Sequence, residues 1–213
     1  MRLRKKPWVA EALTGFSNIV LQNPNEDLKG KWAEVFGNDL PLHVELGTGR
    51  GKFIAGMSEL YQGQLNFAGI EAQQDVLYYA AQKVQDRELP NVRLLVFDAN
   101  EILTIFAPGE IDRLYVNFCD PWPKNRHAKR RLTHVNFLEK YRTVLKPGGQ
   151  LWFKTDNQPL FEFSLEQFQE FGLKLDNISY DLHNSGFAPN VMTEYETKFS
   201  TLGQPIYRCE ITF

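Results

Sequence analysis

From Leu42 onward, short apolar runs rich in Val, Ile, Leu and Phe alternate with longer stretches whose apolar residues recur at helical spacing. That alternation is the mark of β/α units laid on a mostly parallel sheet with helices on both faces. It predicts seven strands, near Leu42–Leu46, Leu65–Ile70, Val92–Phe97, Leu114–Phe118, Gly149–Lys154, Leu173–Tyr180 and Ile206–Phe213. The best-defined helices are predicted over Gly51–Tyr61, Gln73–Asp86, Leu132–Leu145 and Leu160–Phe171. In the third of these, Leu132, Val135, Leu138, Tyr141, Val144 and Leu145 share one buried face. Lys146-Pro147-Gly148-Gly149 then stops it, because proline cannot continue a helix and glycine permits the turn into a strand. Before Pro41 the pattern differs: a basic, proline-containing arm precedes a short helix expected around Glu26–Val35, with Leu28, Trp32 and Val35 as its apolar side. No repeat or Pro/Gly/Ser-rich linker divides the chain, so residues 1–40 are expected to form one unit with a domain spanning 41–213.

The 213 residues are 43% hydrophobic and 23% charged, enough for a single sizeable core. A formal net charge of −2 offers no overall attraction to a polyanion, so any contact with nucleic acid must come from local clustering of cations. Cys119 and Cys209 form no C-x-x-C pair and have no histidine at ligand spacing, so reduced thiols are expected rather than a disulfide framework or a metal site. The basic start MRLRKKPW is followed by no apolar core, and no run approaches the roughly 18 apolar residues that would span a membrane. A cytoplasmic protein is the expectation, with monomer and homodimer both open.

The first chemistry-bearing signal is Val44-Glu45-Leu46-Gly47-Thr48-Gly49-Arg50-Gly51, a strand that runs into a glycine turn and then a helix. Glycines let backbone approach a ligand closely, and the helix start offers unpaired N–H groups. Alone, this could be only a tight β/α turn. Gly69-Ile70-Glu71 then puts a carboxylate at the end of the next strand, where it can accept both ribose hydroxyls of a nucleotide-like ligand, and Asp98 follows the third strand. A dinucleotide loop should read G-x-G-x-x-G, yet Lys52 stands where the last glycine belongs. Glu45 also suits a cationic sulfonium or ammonium better than a pyrophosphate. Each acid taken singly could be a helix cap or a solvated strand end; their succession after three strands points to the methyl donor S-adenosylmethionine.

After the fourth strand comes Asn117-Phe118-Cys119-Asp120-Pro121-Trp122-Pro123-Lys124-Asn125-Arg126-His127-Ala128-Lys129-Arg130-Arg131-Leu132. Two prolines stiffen this loop and hold the side chains of Asp120, Trp122 and Lys124 on a rigid edge beside the glycine turn. Lys124, Arg126, Lys129, Arg130 and Arg131 place five cations within eight residues, a candidate phosphate-binding patch whose plainer alternative is a solvated loop.

This stretch closely resembles the tRNA (guanine-N7-)-methyltransferase family in its D-P-W-P-K-x-R-H-x-K-R-R-L motif at Asp120–Leu132. The resemblance covers nearly the whole chain and takes in Glu45–Gly51, Gly69-Ile70-Glu71, Lys154-Thr155-Asp156 and Thr193-Glu194-Tyr195-Glu196. It implies a Rossmann-like class I S-adenosylmethionine-dependent methyltransferase fold, an α/β architecture with a seven-stranded, mostly parallel sheet. By the same resemblance Glu45, Gly47, Gly49, Glu71, Asp98 and Asp120 line the donor site, and Lys124, Asp156, Thr193, Glu194, Tyr195 and Glu196 meet the guanine nucleotide. Asn125, Arg126, His127, Ala128, Lys129, Arg130 and Arg131 would contact the RNA, the substrate being a guanine in the tRNA variable loop. No metal is implied. Asp120 is the candidate for stabilising charge on the reacting base, or for holding only the donor's methionine end. Asp156 and Glu196 could accept from guanine N1–H and its exocyclic amine. Tyr195 fits either base packing or a core position, and Thr193 is equally consistent with capping a turn. Two other readings stay open: methylation of an exocyclic base nitrogen, suggested loosely by the Asp120–Pro123 loop although its proline and aromatic are in another order, and an RNA-binding module without chemistry.

Overall fold

A computed structural model describes residues 6–213; Arg2, Arg4 and Lys5 of the basic arm lie outside the described residues. In chain order the strands are β1 (Val20–Leu21), β2 (Leu42–Leu46), β3 (Asn66–Glu71), β4 (Val92–Val96), β5 (Ile111–Asn117), β6 (Leu145–Thr155), β7 (Lys174–Ser179) and β8 (Tyr207–Thr212). The helices are α1 (Trp8–Thr14), α2 (Trp32–Phe36), α3 (Lys52–Leu60), α4 (Gln74–Asp86), α5 (Ile102–Ile105), α6 (Val135–Val144), α7 (Gln158–Glu170) and α8 (Glu194–Ser200). The strands form one sheet in the order β1-β4-β3-β2-β5-β6-β8-β7. Pairing is parallel from β1 to β6, whereas β8 runs antiparallel to both β6 and β7.

Period-two alternation divides each central strand between two cores. Leu42, Val44 and Leu46 of β2 and Leu114 and Val116 of β5 pack with Trp32, Ile102, Leu138, Tyr141 and Phe161 on the side of α2, α5, α6 and α7. Phe67 and Tyr115 point the other way, to Val9, Phe53, Leu77 and Val84 of α1, α3 and α4. Burial on both faces is why these strands read as nearly continuous apolar runs. Reversal of strand order about β2 leaves a crevice at the carboxyl ends of β2 and β5, the place where open α/β sheets gather ligands.

Three expectations need correction. The sheet has eight strands, because Val20 and Leu21 pair in parallel with Leu94 and Leu95 at its edge. The helix expected over Glu26–Val35 is split into a 3-10 turn at Glu26–Leu28 and the separate α2. Gly30 between them adopts φ +73°, and the Glu110 carboxylate takes the N–H groups of Gly30 and Trp32 at 3.2 and 3.4 Å. A distant side chain thus satisfies donors that a continuous helix would satisfy internally. Likewise α6 starts at Val135 rather than Leu132, with the His134 ring accepting from Asn136 N–H and the Leu132 carbonyl accepting from Tyr141.

Gly51 marks a position where no other residue fits easily. It caps the start of α3 at φ +78°, and an added Cβ would lie 2.7 Å from Cβ of Ala80 on α4. Its absence lets the first turn of α3 rest directly on α4.

Candidate active site

The turn after β2 is built around a buried acid. Glu45 is 3% exposed, and its carboxylate accepts from Thr48 Oγ1 at 2.6 Å and from Asn117 Nδ2 of β5 at 3.0 Å. Burial pushes its pKa up to about 7, against the pull of those two hydrogen bonds and of the Lys154 charge. Glu71, the last residue of β3, accepts from the N–H groups of Gly49 at 3.1 Å and Gln73 at 3.0 Å. Its pKa is also raised, by burial first and last by the nearby charge of Asp120, so the loop after β5 reaches the electrostatic range of β3. Asp98 is exposed and caps the 3-10 turn that follows it, accepting from Asn100 N–H at 2.9 Å. Its side chain makes no such contact with Glu45 or Glu71.

The loop from Phe118 to Arg131 is held in an unusual backbone. Phe118 and Trp122, which bracket Asp120, adopt φ +51° and +42°. Such values in non-glycine residues cost on the order of 1–3 kcal/mol each and persist only where the surroundings impose them. Asp120 itself is exposed at the tip. Behind it Arg131 is buried, donating from Nε to the Pro121 carbonyl and from Nη2 to the Trp122 carbonyl, both at 3.0 Å. Trp122 in turn lies under the Arg130 guanidinium at 4.9 Å and edge-on to His127. Asn125–Arg130 form a 3-10 turn in which Asn125, Arg126, Lys129 and Arg130 face solvent, as does Lys124 just before it, with His127 and Ala128 half-buried.

The third wall is α8. Thr193 caps it, its Oγ1 accepting from Glu196 N–H at 2.9 Å. Glu194 binds the Lys83 ammonium and accepts from Lys52 N–H at 3.3 Å, which straps α8 to α4 and to the first residue of α3. Tyr195 stacks on Phe199 at 4.2 Å, lies 5.2 Å from Phe118, and donates from its hydroxyl to Asp156 at 3.3 Å. Glu196 is fully buried, with its carboxylate held by Lys154 at 2.8 Å, Asn190 at 2.7 Å and His183 at 3.4 Å. Burial lowers the Lys154 pKa and Glu196 pushes it back. Between these walls lies a cavity of about 370 Å³ lined by Glu45, Gly47, Gly49, Phe118, Thr193 and Tyr195 among others. A Cβ at Gly47 would meet nothing within 4 Å, and one at Gly49 only the Gly47 carbonyl at 3.9 Å, so the bare turn faces open space that a ligand can fill. The site therefore fits a nucleoside with a cationic tail. Among the described residues no group of His, Cys, Asp or Glu could hold a metal ion.

Known proteins identify the family. A family model described as "Putative methyltransferase" matches residues 39–209. A tRNA (guanine-N(7)-)-methyltransferase of Bacillus subtilis (strain 168) is 54% identical over 211 residues, covering 99% of this chain and 98% of that protein. This chain belongs to the tRNA (guanine-N(7)-)-methyltransferase family. A second member, from Geobacillus sp. (strain WCH70), is 53% identical across 100% of this chain and 96% of its own. The fold extends further: an antibiotic-related methyltransferase of known structure superposes with a TM-score of 0.66 at 15% identity, over 91% of this chain and 96% of that one.

Within this tRNA (guanine-N(7)-)-methyltransferase fold, the structure brings Glu45, Gly47, Gly49, Thr193, Glu194 and Tyr195 around one cavity, with Glu71 and Asp156 bonded to its walls. Glu196 and Arg131 lie apart from the open surface, each engaged by the protein's own groups. Reading the sequence quoted Thr48, Lys52 and Asn117 within or beside its motifs without assigning them to the acids, and it missed Lys83 and Asn190. Lys154 likewise left a signal, as the first residue of Lys154-Thr155-Asp156.

Proposed function

We propose that this chain transfers a methyl group from S-adenosyl-L-methionine to N7 of a guanine in the variable loop of tRNA, acting in the cytoplasm. The observation that carries the reading is the convergence, at one sheet edge, of an acid-lined glycine turn and a rigid Asp120 loop that continues into exposed cations. Glu71 would take the ribose hydroxyls, Glu45 would face the cationic end, and Gly47 and Gly49 would leave room for the nucleoside. The donor supplies a methyl group activated on a sulfonium.

Guanine N7 has an in-plane lone pair and no proton to remove, so its attack needs alignment and electrostatics more than a strong base. The base gains positive charge as it reacts, and the exposed Asp120 carboxylate is the group that would stabilise it. Lys124 and Asp156 would hold the nucleotide, with Asp156 accepting from donors that guanine has and adenine lacks. Tyr195, bonded to Asp156 and half-exposed, offers a face for the base to pack on. Because Glu196 is committed to Lys154, Asn190 and His183, its part is to seat α8 rather than to touch guanine.

Incubating the protein with labelled donor and unmodified tRNA, then digesting to nucleosides, tests this directly. Label in 7-methylguanosine is expected; label on an exocyclic nitrogen, or donor binding with no transfer, would reject it. Asp120→Ala is expected to lose nearly all turnover while melting at the wild-type temperature. Wild-type turnover in that variant would remove Asp120 from the chemistry.

A further inference from the structure

We propose that Arg131, although it ends the basic run, is not an RNA contact but the positioning residue that sets the Asp120 loop for methyl transfer. Its guanidinium fork grips two successive carbonyls, those of Pro121 and Trp122, at 3.0 Å each. Trp122 is one of the two left-handed residues that bracket Asp120, so the grip falls on the strained end of the loop. The other side of the guanidinium lies 4.2 Å over the Phe163 ring of α7, which ties the loop to a helix of the core. The Arg131 backbone closes the 3-10 turn by donating to the Ala128 carbonyl at 3.0 Å. With 8% of its surface exposed, Arg131 turns its charge inward, while Lys129 and Arg130 beside it are open to solvent.

Only a planar fork can hold two adjacent carbonyls and a ring at once, which a lysine cannot do. Arg131 therefore works through the backbone under Asp120. This role presupposes that the loop presents Asp120 to the reacting base, as proposed above. Misplacing a catalytic group by about 1 Å can reduce a rate on the order of a hundredfold, so loosening this grip should act on turnover.

The test uses Arg131→Gln and Arg131→Lys in the full chain. Thermal melting, donor affinity, kcat at saturating tRNA and the salt dependence of tRNA affinity are measured for each. At least about a tenfold loss of kcat is expected in Arg131→Gln and a smaller loss in Arg131→Lys, with donor affinity and salt slope at wild-type values. A slope shallower by about 0.7–0.9, with kcat intact, would make Arg131 a phosphate contact and overturn the proposal. So would a kcat reduced only in proportion to the folded fraction. Should Arg131→Gln fail to fold, Arg131→Lys decides by the same criteria. In a cycle with Asp120→Asn, a combined loss equal to the product of the single losses would also overturn it, because residues acting through one another are not additive. Wild-type turnover in Asp120→Asn alone would instead reject the reading of Asp120, so the two failures are distinguishable.

Discussion

Glu45 is a carboxyl group taken out of water and given two neutral hydrogen-bond donors, which leaves its proton loosely balanced near neutrality. Folding raises its pKa from 4.5 to about 7. A raised carboxyl pKa means the folded state holds the proton more tightly, so this contribution to stability is full below about pH 4.5 and is lost as pH rises through about 7. Glu45→Gln keeps a side chain able to meet Thr48 and Asn117 but cannot titrate. In donor-free protein it is expected to flatten the fall in thermal stability across that window, and an unaltered pH profile would count against the burial argument. Binding of a cationic tail would favour the ionised form, so calorimetry near pH 7 in buffers of differing ionisation enthalpy should show proton release in wild type and none in Glu45→Gln. Glu45 and Glu71 were legible in the sequence because their place follows from local order, a strand end beside a glycine turn. Asn117 and Thr48 were not, since their partnership with Glu45 exists only once β2 and β5 lie side by side.

At the scale of elements, legibility follows how much of an element's stability is local. β2 to β5, and β6 from Leu151 on, are largely buried on both sides and announce themselves as apolar runs. β1 has two residues, too few to show any period, and exists because β4 offers it a free edge. The seven residues of α8 carry only one apolar pair, Tyr195 and Phe199; the helix is kept by the Thr193 cap and by Glu194 and Glu196 bonded to α3, α4 and β6. The junction of α3 with α4 was legible only in part, as a glycine whose need for close approach no pattern shows. Gly51→Ala should therefore destabilise by roughly 2–4 kcal/mol, combining left-handed strain with overpacking against Ala80. Gly63→Ala makes the matching control, for it has φ +73° and nothing within 4 Å of a Cβ. It should lose only about 1–2 kcal/mol. Chemical denaturation of both variants checks this, and equal losses would mean that contact with α4 contributes nothing.

Across the whole molecule, charge is sorted rather than abundant. With 24 basic and 26 acidic residues the chain has no net pull on RNA, yet Glu45 lines the cavity, Glu71 is bonded to its glycine turn and the Asp120 charge reaches Glu71, while Lys124, Arg126, Lys129 and Arg130 face solvent on one adjoining loop. Such sorting lets one edge hold a cation and the next a polyanion without either field cancelling the other. Each phosphate neutralised releases counterions, so tRNA affinity should fall by about 0.7–0.9 log units per log unit of salt for every contact. Replacing Lys129 and Arg130 by alanine removes two exposed cations and leaves the Arg131 clamp in place. The salt slope should then be shallower by about 1.4–1.8, the tRNA Michaelis constant should rise, and donor affinity should change little. Binding titrations over a salt series measure the slope directly. A wild-type slope in the double variant would show that these cations are only a solvated face. The RNA would then have to approach by another basic edge, such as the one at α4, where Lys6 and Arg50 both lie over the Tyr79 ring at 5.3 and 5.0 Å.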